Sequence, residues 1–480
     1  MMARWYAITA VAGLALFAVG VPPAAAQENA ATKAVEAAKQ YEGTTINTAE
    51  EAGLMAMLGI NITGPEWEEL TGIEVRVSEV PYEELFPKAM LEHRAGTGAY
   101  DMLTIAPSWV ADMVRAGALE PLDPYIEKYG VASELDDIAP AFRDWMTFDG
   151  KTYALVVDGD VHILYYRKDL FEDPANQEAF KAEYGYDLAV PENWEQFGQI
   201  CQFFTDKYAP ELYGAGLINT GYTYYFFFER FRSYGGRFFD PETMQATVNS
   251  EAGVRALTEM VEQNACQPPG VQNWGFGESL SALNSGEIAM TISWPPLARW
   301  TQGINADEQA LSWVPPTEVK DKIGYAITPS GHSEMAAGIL LALSPNSKNK
   351  DATYLYMQWL HSQQESLKNV MRPLGLRDPF RISHYESPEF QALWPTAKDY
   401  LETHKKAVET GYADLAILET YKYWDSAGRA VNAAIGGKDP QQALDDLAAE
   451  WDQLTEQIGV DRQREAYTAW AAQPAAYRAE

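Results

Sequence analysis

Apolar and polar side chains alternate strictly through residues 73–80, IEVRVSEV, which predicts a strand with one buried face. Upstream, the run TTINTA just after Gly43 reads as a first strand, and residues 50–69 as a helix-forming segment closed by the turn Thr71-Gly72. Downstream, residues 81–95 place Leu85, Ala89 and Met90 near helical spacing, and the apolar run 102–106 reads as a short buried strand. Strand, helix, strand, helix, strand in that order predicts an α/β fold with a parallel or mixed sheet flanked by helices. Ahead of these elements, the Ala-rich residues 30–40 have a helical period and read as a loosely docked leader helix.

The pattern changes at residues 152–174, TYALVVDGDVHILYYRKDLFEDP. Two β-rich apolar runs, 154–157 and 161–166, flank Asp158-Gly159-Asp160, so strands meet where the backbone must turn. Amphipathic helices follow at 193–207 and 251–264, the second with Ser250 placed as its N-cap. Between them lies an aromatic loop and helix in which Phe226, Phe227 and Phe228 read as core. Asn219, Gly221 and Tyr222 sit in the loop before that helix, where a binding role and a structural one are both open. The last hundred residues are helical in period.

Length and composition sharpen this picture. A chain of 480 residues exceeds a single ordinary core, so two or more domains are expected. Residues 1–26 combine Arg4, an apolar run over 8–21 and Ala24-Ala25-Ala26, the form of an export signal; the run is short for the ~20 residues of a membrane anchor. Its removal leaves 68 acidic residues against 35 basic ones, because Arg4 is the one charge lost. That acidity argues against nucleic acid and anionic lipid as partners. The two cysteines, Cys201 and Cys266, lie in or at the end of the two amphipathic helices; a disulfide and two buried thiols are both open.

Several stretches together carry a resemblance. GTGAYDMLTIAPSWV, GALEPLDPYI, the 152–174 segment, WEQFGQICQFFTD, FGESLSALNSGEIAMTISWPPLA and AGILLALSPNSKNKDATYLYMQWL resemble, in order and spacing, the extracellular solute-binding proteins of sugar ABC transporters, the maltose-binding-like group. The resemblance implies a two-lobed periplasmic-binding-protein fold of type II with discontinuous lobes and a ligand cleft at the hinge. It places the N-terminal lobe at 41–160 and 318–373 and the C-terminal lobe at 161–317 and 374–480. Residues 152–174 become the first crossing, 320–338 the return, and RPLGLRDPF the last crossing, with Arg377 at a commonly arginine or polar position. A stacking Trp customary before the return strand is replaced by Ala336-Ala337-Gly338-Ile339.

Sugars present apolar ring faces and hydroxyl edges, so a site for them needs flat aromatics and fixed hydrogen-bonding groups. Trp109, Trp294 and Tyr222 are candidates for the faces and Ser108, Asp158, Asp160, Asn219 and Arg377 for the edges, with Glu51 and Gly221 as further ligand-binding candidates. The site loop after the buried strand, Pro107-Ser108-Trp109, also follows from the rule that α/β ligands bind beyond the carboxyl ends of strands. Trp274 reads as core or rim. The partners implied by the resemblance are a small carbohydrate and the permease and ATPase of an importer, with the protein monomeric in the periplasm; a receptor role would use the same cleft. A secreted glycoside-active enzyme is the alternative, because Asp158 and Asp160, on one face of a strand, would lie about 7 Å apart. No HExxH, Walker A, GxSxG or GxGxxG is present, so no metal or cofactor is expected, and the Asp-Gly-Asp turn lacks acidic partners at EF-hand spacing.

Overall fold

The computed structural model describes residues 29–304, 309–329, 331–335 and 338–477. The expected export signal and the Ala336-Ala337 pair lie outside the described residues. Among the described residues ten strands form three sheets: β1 Thr45–Glu51, β2 Glu74–Val80, β3 Met102–Ile105, β4 Thr147–Phe148, β5 Lys151–Thr152, β6 Ala154–Asp158, β7 Ile163–Arg167, β8 Met290–Ser293, β9 Ile323–Ala326 and β10 Ile339–Leu343. The large sheet runs β2-β1-β3-β10-β6, the small one β8-β7-β9, and β4-β5 is a short hairpin. In the large sheet β1 pairs in parallel with β2 and β3, while β10 is antiparallel to both β3 and β6. In the small sheet both neighbours are antiparallel to β7.

The α/β architecture therefore matches the periodicity, with several local differences. Residues 73–80 do form a strand, but as the edge of the large sheet; β2 buries fully only Val80 and leaves Arg76, Ser78 and Glu79 exposed. Glu50 and Glu51 end β1 instead of opening a helix, which starts at Leu54 and passes through the π-helical turn Gly59–Thr63 before Gly64–Thr71. Ladder bonds to β2 extend to Glu51, and Gly53 at φ +89 then turns the chain. The leader helix Ala30–Ala38 is firmly docked: Ala30, Ala34 and Ala38 are buried in one cluster with Tyr354, Leu355 and Trp359 of helix Lys350–His361. Small side chains four apart give a flat stripe that lets the two helices approach closely.

β6 belongs to the large sheet and β7 to the small one, so residues 159–162 cross between them. The expected return by residue 318 comes later, because β9 pairs with β7 and only β10 rejoins the large sheet. The last crossing, through Asp378, touches the first: the Gly159 amide donates to the Asp378 carbonyl at 3.2 Å, and the Asp378 amide donates to Asp158 Oδ1 at 2.8 Å. A Cβ on Gly159 would overlap the Pro379 carbonyl oxygen, so glycine is what allows the two segments to lie against each other. Apolar packing spans the crossing as well, one cluster running from Leu103 and Ile105 to Tyr165, Trp300 and Tyr325. A second cluster is rich in aromatic rings and includes Phe226, Phe227, Phe228, Phe231, Phe238 and Trp451; the Phe run is core. Cys201 and Cys266 are joined in a disulfide, with Cα atoms 5.7 Å apart, that ties helix Trp194–Tyr208 to the 3-10 turn Gln263–Cys266 following helix Glu251–Glu262. Ser250 stands at the N-cap of that second helix without a side-chain cap bond.

Candidate functional site

A cavity of about 220 Å³ lies between the two larger sheets, lined by Glu51, Met55, Tyr82, Asp160, Tyr222, Phe276, Trp294, Pro296, Ile339, Leu376 and Asp378. Each sheet contributes residues at or just beyond the ends of its strands, near the position that α/β folds leave open to ligands. Glu51 ends β1, Tyr82 follows β2, Trp294 and Pro296 follow β8, and Ile339 begins β10. Asp160 and Asp378 come from the first and last crossings and form the floor.

One side of this cavity is aromatic. Trp294 meets Tyr222 at 5.8 Å between ring centroids and Phe276 at 6.2 Å, both strongly inclined. Behind Trp294, the buried His162 ring packs edge-on at 5.1 Å and its Nδ1 lies 3.0 Å from Glu229 Oε2, so the indole leans on a fixed support. Tyr165 donates its hydroxyl to the Trp294 carbonyl at 2.9 Å. Tyr222 has φ +52 immediately after Gly221 at φ +64, and this left-handed pair throws its ring across the cleft, where its hydroxyl donates to Glu51 Oε1 at 3.4 Å.

The other side and the floor carry the carboxyl groups. Burial pushes Glu51 up to about 7, opposed by the Tyr222 hydroxyl and by the Arg377 guanidinium. Burial raises Asp378 to about 6 against the pull of Arg299, whose Nη1 lies 3.8 Å from its Oδ1. Asp160 is held well above the ordinary carboxylate range, by burial first and by Asp158 and Asp378 second. Its Oδ2 accepts the Gly338 amide at 3.0 Å. A carboxyl group of this floor accepts from a ligand hydroxyl when ionised and can also donate to it when protonated. Oxygens of Asp158, Asp160 and Asp378 lie within 4.8 Å of one another, close enough to share a cation, although Arg299 already offers positive charge there.

Of the residues singled out in the sequence, Glu51, Asp160, Tyr222 and Trp294 line this cavity. Trp109 and Gly221 line a neighbouring cavity of about 510 Å³, and Trp109 backs Tyr82 at 5.4 Å. The others lie elsewhere. Asp158 is fully buried beneath the floor, its Oδ1 bound to the Asp378 amide. Because β6 ends at Asp158, the strand geometry expected for the Asp158/Asp160 pair does not apply, and the two do not flank the cavity. Ser108 is buried off the cavity. Asn219 turns inward, its Nδ2 donating to the carbonyls of Val271 and Leu217 and to Asn264 Oδ1. Arg377 lies behind the wall, with Nη1 2.8 Å from Met55 Sδ. Trp274 packs over Gly216.

Sequence reasoning missed Met55, Tyr82, Phe276, Pro296, Ile339, Leu376 and Asp378. Two had a usable signal. Tyr82 lies two residues past the end of β2, where the strand-end rule looks, and Asp378 adjoins Arg377.

The family model described as bacterial extracellular solute-binding protein matches residues 60–365. The chain belongs to this family. Its members are solute-binding proteins and not enzymes, and the family is exported. Relatives include a probable amino-acid ABC transporter periplasmic-binding protein of Sinorhizobium fredii, 27% identical over 85% of this chain and 89% of that one. A mannitol-binding protein of Pseudomonas aeruginosa is 28% identical over 64% of this chain and 67% of its own. Among solved structures, an ABC transporter solute-binding protein from Agrobacterium radiobacter in complex with ribitol superposes with TM-score 0.72 at 22% identity, covering 86% of this chain and 99% of that one. One from Agrobacterium vitis with bound D-mannitol superposes with TM-score 0.68 at 23% identity, covering 87% and 99%. These likenesses establish the two-sheet binding-protein fold.

Proposed function

We propose that this exported solute-binding protein captures a neutral carbohydrate, mono- to oligosaccharide or polyol, in the cavity between its sheets and delivers it to the permease and ATPase of an ABC importer. The observation that carries the reading is the division of the cavity: Trp294, Tyr222 and Phe276 on one side, Glu51, Asp160 and Asp378 on the other. Rings cover the C–H faces of a polyhydroxylated solute, and proton-sharing carboxyl groups meet its hydroxyls. Names among the relatives point to both an amino acid and polyols. The chemistry favours the polyol class, since an amino acid's carboxylate would face three carboxyl groups and no basic residue among the described residues lining the cavity.

In this reading the mature chain begins near Gln27, acts as a monomer in the periplasm, and has lobes at 41–160 with 338–373 and at 161–326 with 374–480. Ligand bound to both walls draws the lobes together about the Asp158–Asp160 and Asp378 crossings. A thermal-shift screen of the mature chain against monosaccharides, disaccharides and polyols, followed by calorimetry, tests it. A ligand at a hundred times its Kd adds about 2.7 kcal/mol to stability. One hit of micromolar affinity with no product formed supports the reading; silence across the panel removes the carbohydrate.

A further inference from the structure

The 220 Å³ cavity and the 510 Å³ cavity beside it share two wall residues, Tyr82 and Tyr222. The rings of this pair meet edge to face at 5.5 Å. Each is held from behind: Tyr82 by Trp109 at 5.4 Å, Tyr222 by Trp294 at 5.8 Å and by its hydroxyl bond to Glu51. The outer cavity is itself lined with rings, including Phe86, Tyr224, Tyr421 and Trp424, and its charged lining is mixed, Arg429 pairing with Asp425 and Glu450. It is larger than the inner chamber and has the same mixture of flat and polar groups, so a longer ligand would find contacts there. What stands between the two spaces is a pair of aromatic side chains contributed from opposite sides of the cleft, Tyr82 beyond β2 and Tyr222 ahead of helix Thr223–Ser233.

We propose that Tyr82 and Tyr222 form a partition that sets ligand length, confining the bound solute to a single sugar unit or a linear polyol of similar size. This rests on the carbohydrate reading above and narrows it. The backbone supports a positional role for Tyr222: a bulky residue at φ +52, next to Gly221 at φ +64, is an uncommon conformation, and here it directs a side chain across the cleft instead of into the helix core where Tyr224 and Tyr225 lie. The ring closes the chamber; the hydroxyl bond to Glu51 fixes its angle. Removing the ring joins the two cavities, while Tyr222→Phe or Tyr222→Trp leaves them divided.

The test uses the mature protein and a matched pair of probes, D-mannitol and its 1-O-glucosyl derivative, measured by calorimetry. The wild type should prefer mannitol by at least a hundredfold. Tyr222→Ala should shrink that preference at least tenfold by admitting the longer probe, with Tyr222→Phe and Tyr222→Trp keeping it. A wild type that binds both probes alike overturns the partition, as does a Tyr222→Ala variant that weakens both by one common factor. If neither probe binds, the carbohydrate reading is what fails, and acrylamide quenching of the Trp294 emission, isolated by subtraction of Trp294→Phe, still decides the partition. Quenching of Trp294 should at least double in Tyr222→Ala; an unchanged constant overturns the proposal.

Discussion

The two sides of the cleft are built from different chemistry. Among the described residues lining the cavity, the side beyond the small sheet presents Tyr222, Phe276, Trp294 and Pro296 and no carboxyl group, whereas the large sheet and the crossings supply Glu51, Asp160 and Asp378 together with Tyr82, Met55, Ile339 and Leu376. The aromatic side rests on a dense ring cluster, so its surfaces are fixed by packing. The acidic side rests on backbone donors and a guanidinium group, which hold the buried carboxyl groups in place at the hinge. One side chiefly meets faces and the other chiefly edges, so a ligand makes its full set of contacts only when both sides reach it. That arrangement makes closure and recognition one event.

Breaking both sides at once should have the largest effect. Asp160→Ala combined with Trp294→Ala should raise Kd by roughly a thousandfold, the product of the single effects, if the sides act independently. Calorimetry on the ligand found in the screen checks it, and a double variant no worse than the weaker single one would show that the sides are not separate. Asp160→Ala alone should cost about five- to a hundredfold, because a ligand hydroxyl left without its buried partner loses about 1–3 kcal/mol.

A third prediction concerns stability and sharpens the acidic side. Glu50, buried beside the cavity wall, is raised from 4.5 to about 7 by burial, against Arg377 and the Thr48 hydroxyl. Its folded state takes up protons more readily than the unfolded one, so the stability it contributes is fully present below about 4.5 and is lost as pH rises through about 7. Glu50→Gln should therefore flatten the fall in stability between pH 5 and pH 8 by roughly 2–3 kcal/mol, read by denaturant melts at both pH values. The buried His404, held near 3 by burial, acts in the opposite sense: its contribution is present above 6.5 and is lost as pH falls toward 3. The smallest effect is expected at Ser108, which lies off the cavity: Ser108→Ala should change Kd less than twofold.

Much of this molecule was determined locally. Apolar runs at 102–106 and 154–157 specified buried strands, Phe226 to Phe228 specified core, and Asp-Gly-Asp specified the place where the chain leaves one sheet for another. These features depend on a side chain's period and type, which neighbouring residues supply. Period says that a face is covered but not what covers it, so β2 read as half-buried and proved to be an edge, and β9 was assigned to the sheet it does not join. The site depended still more on distant partners. Asn219 and Arg377 are polar residues in the right segments, yet residues far along the chain satisfy one and enclose the other. Tyr82 and Tyr222 meet across the cleft, and Asp378 completes a floor begun at Asp160. Whether a ring is core or cleft wall, and whether a carboxyl group is spent or available, is decided only when the crossings bring the two sheets face to face, because that is when each group's surroundings come into existence.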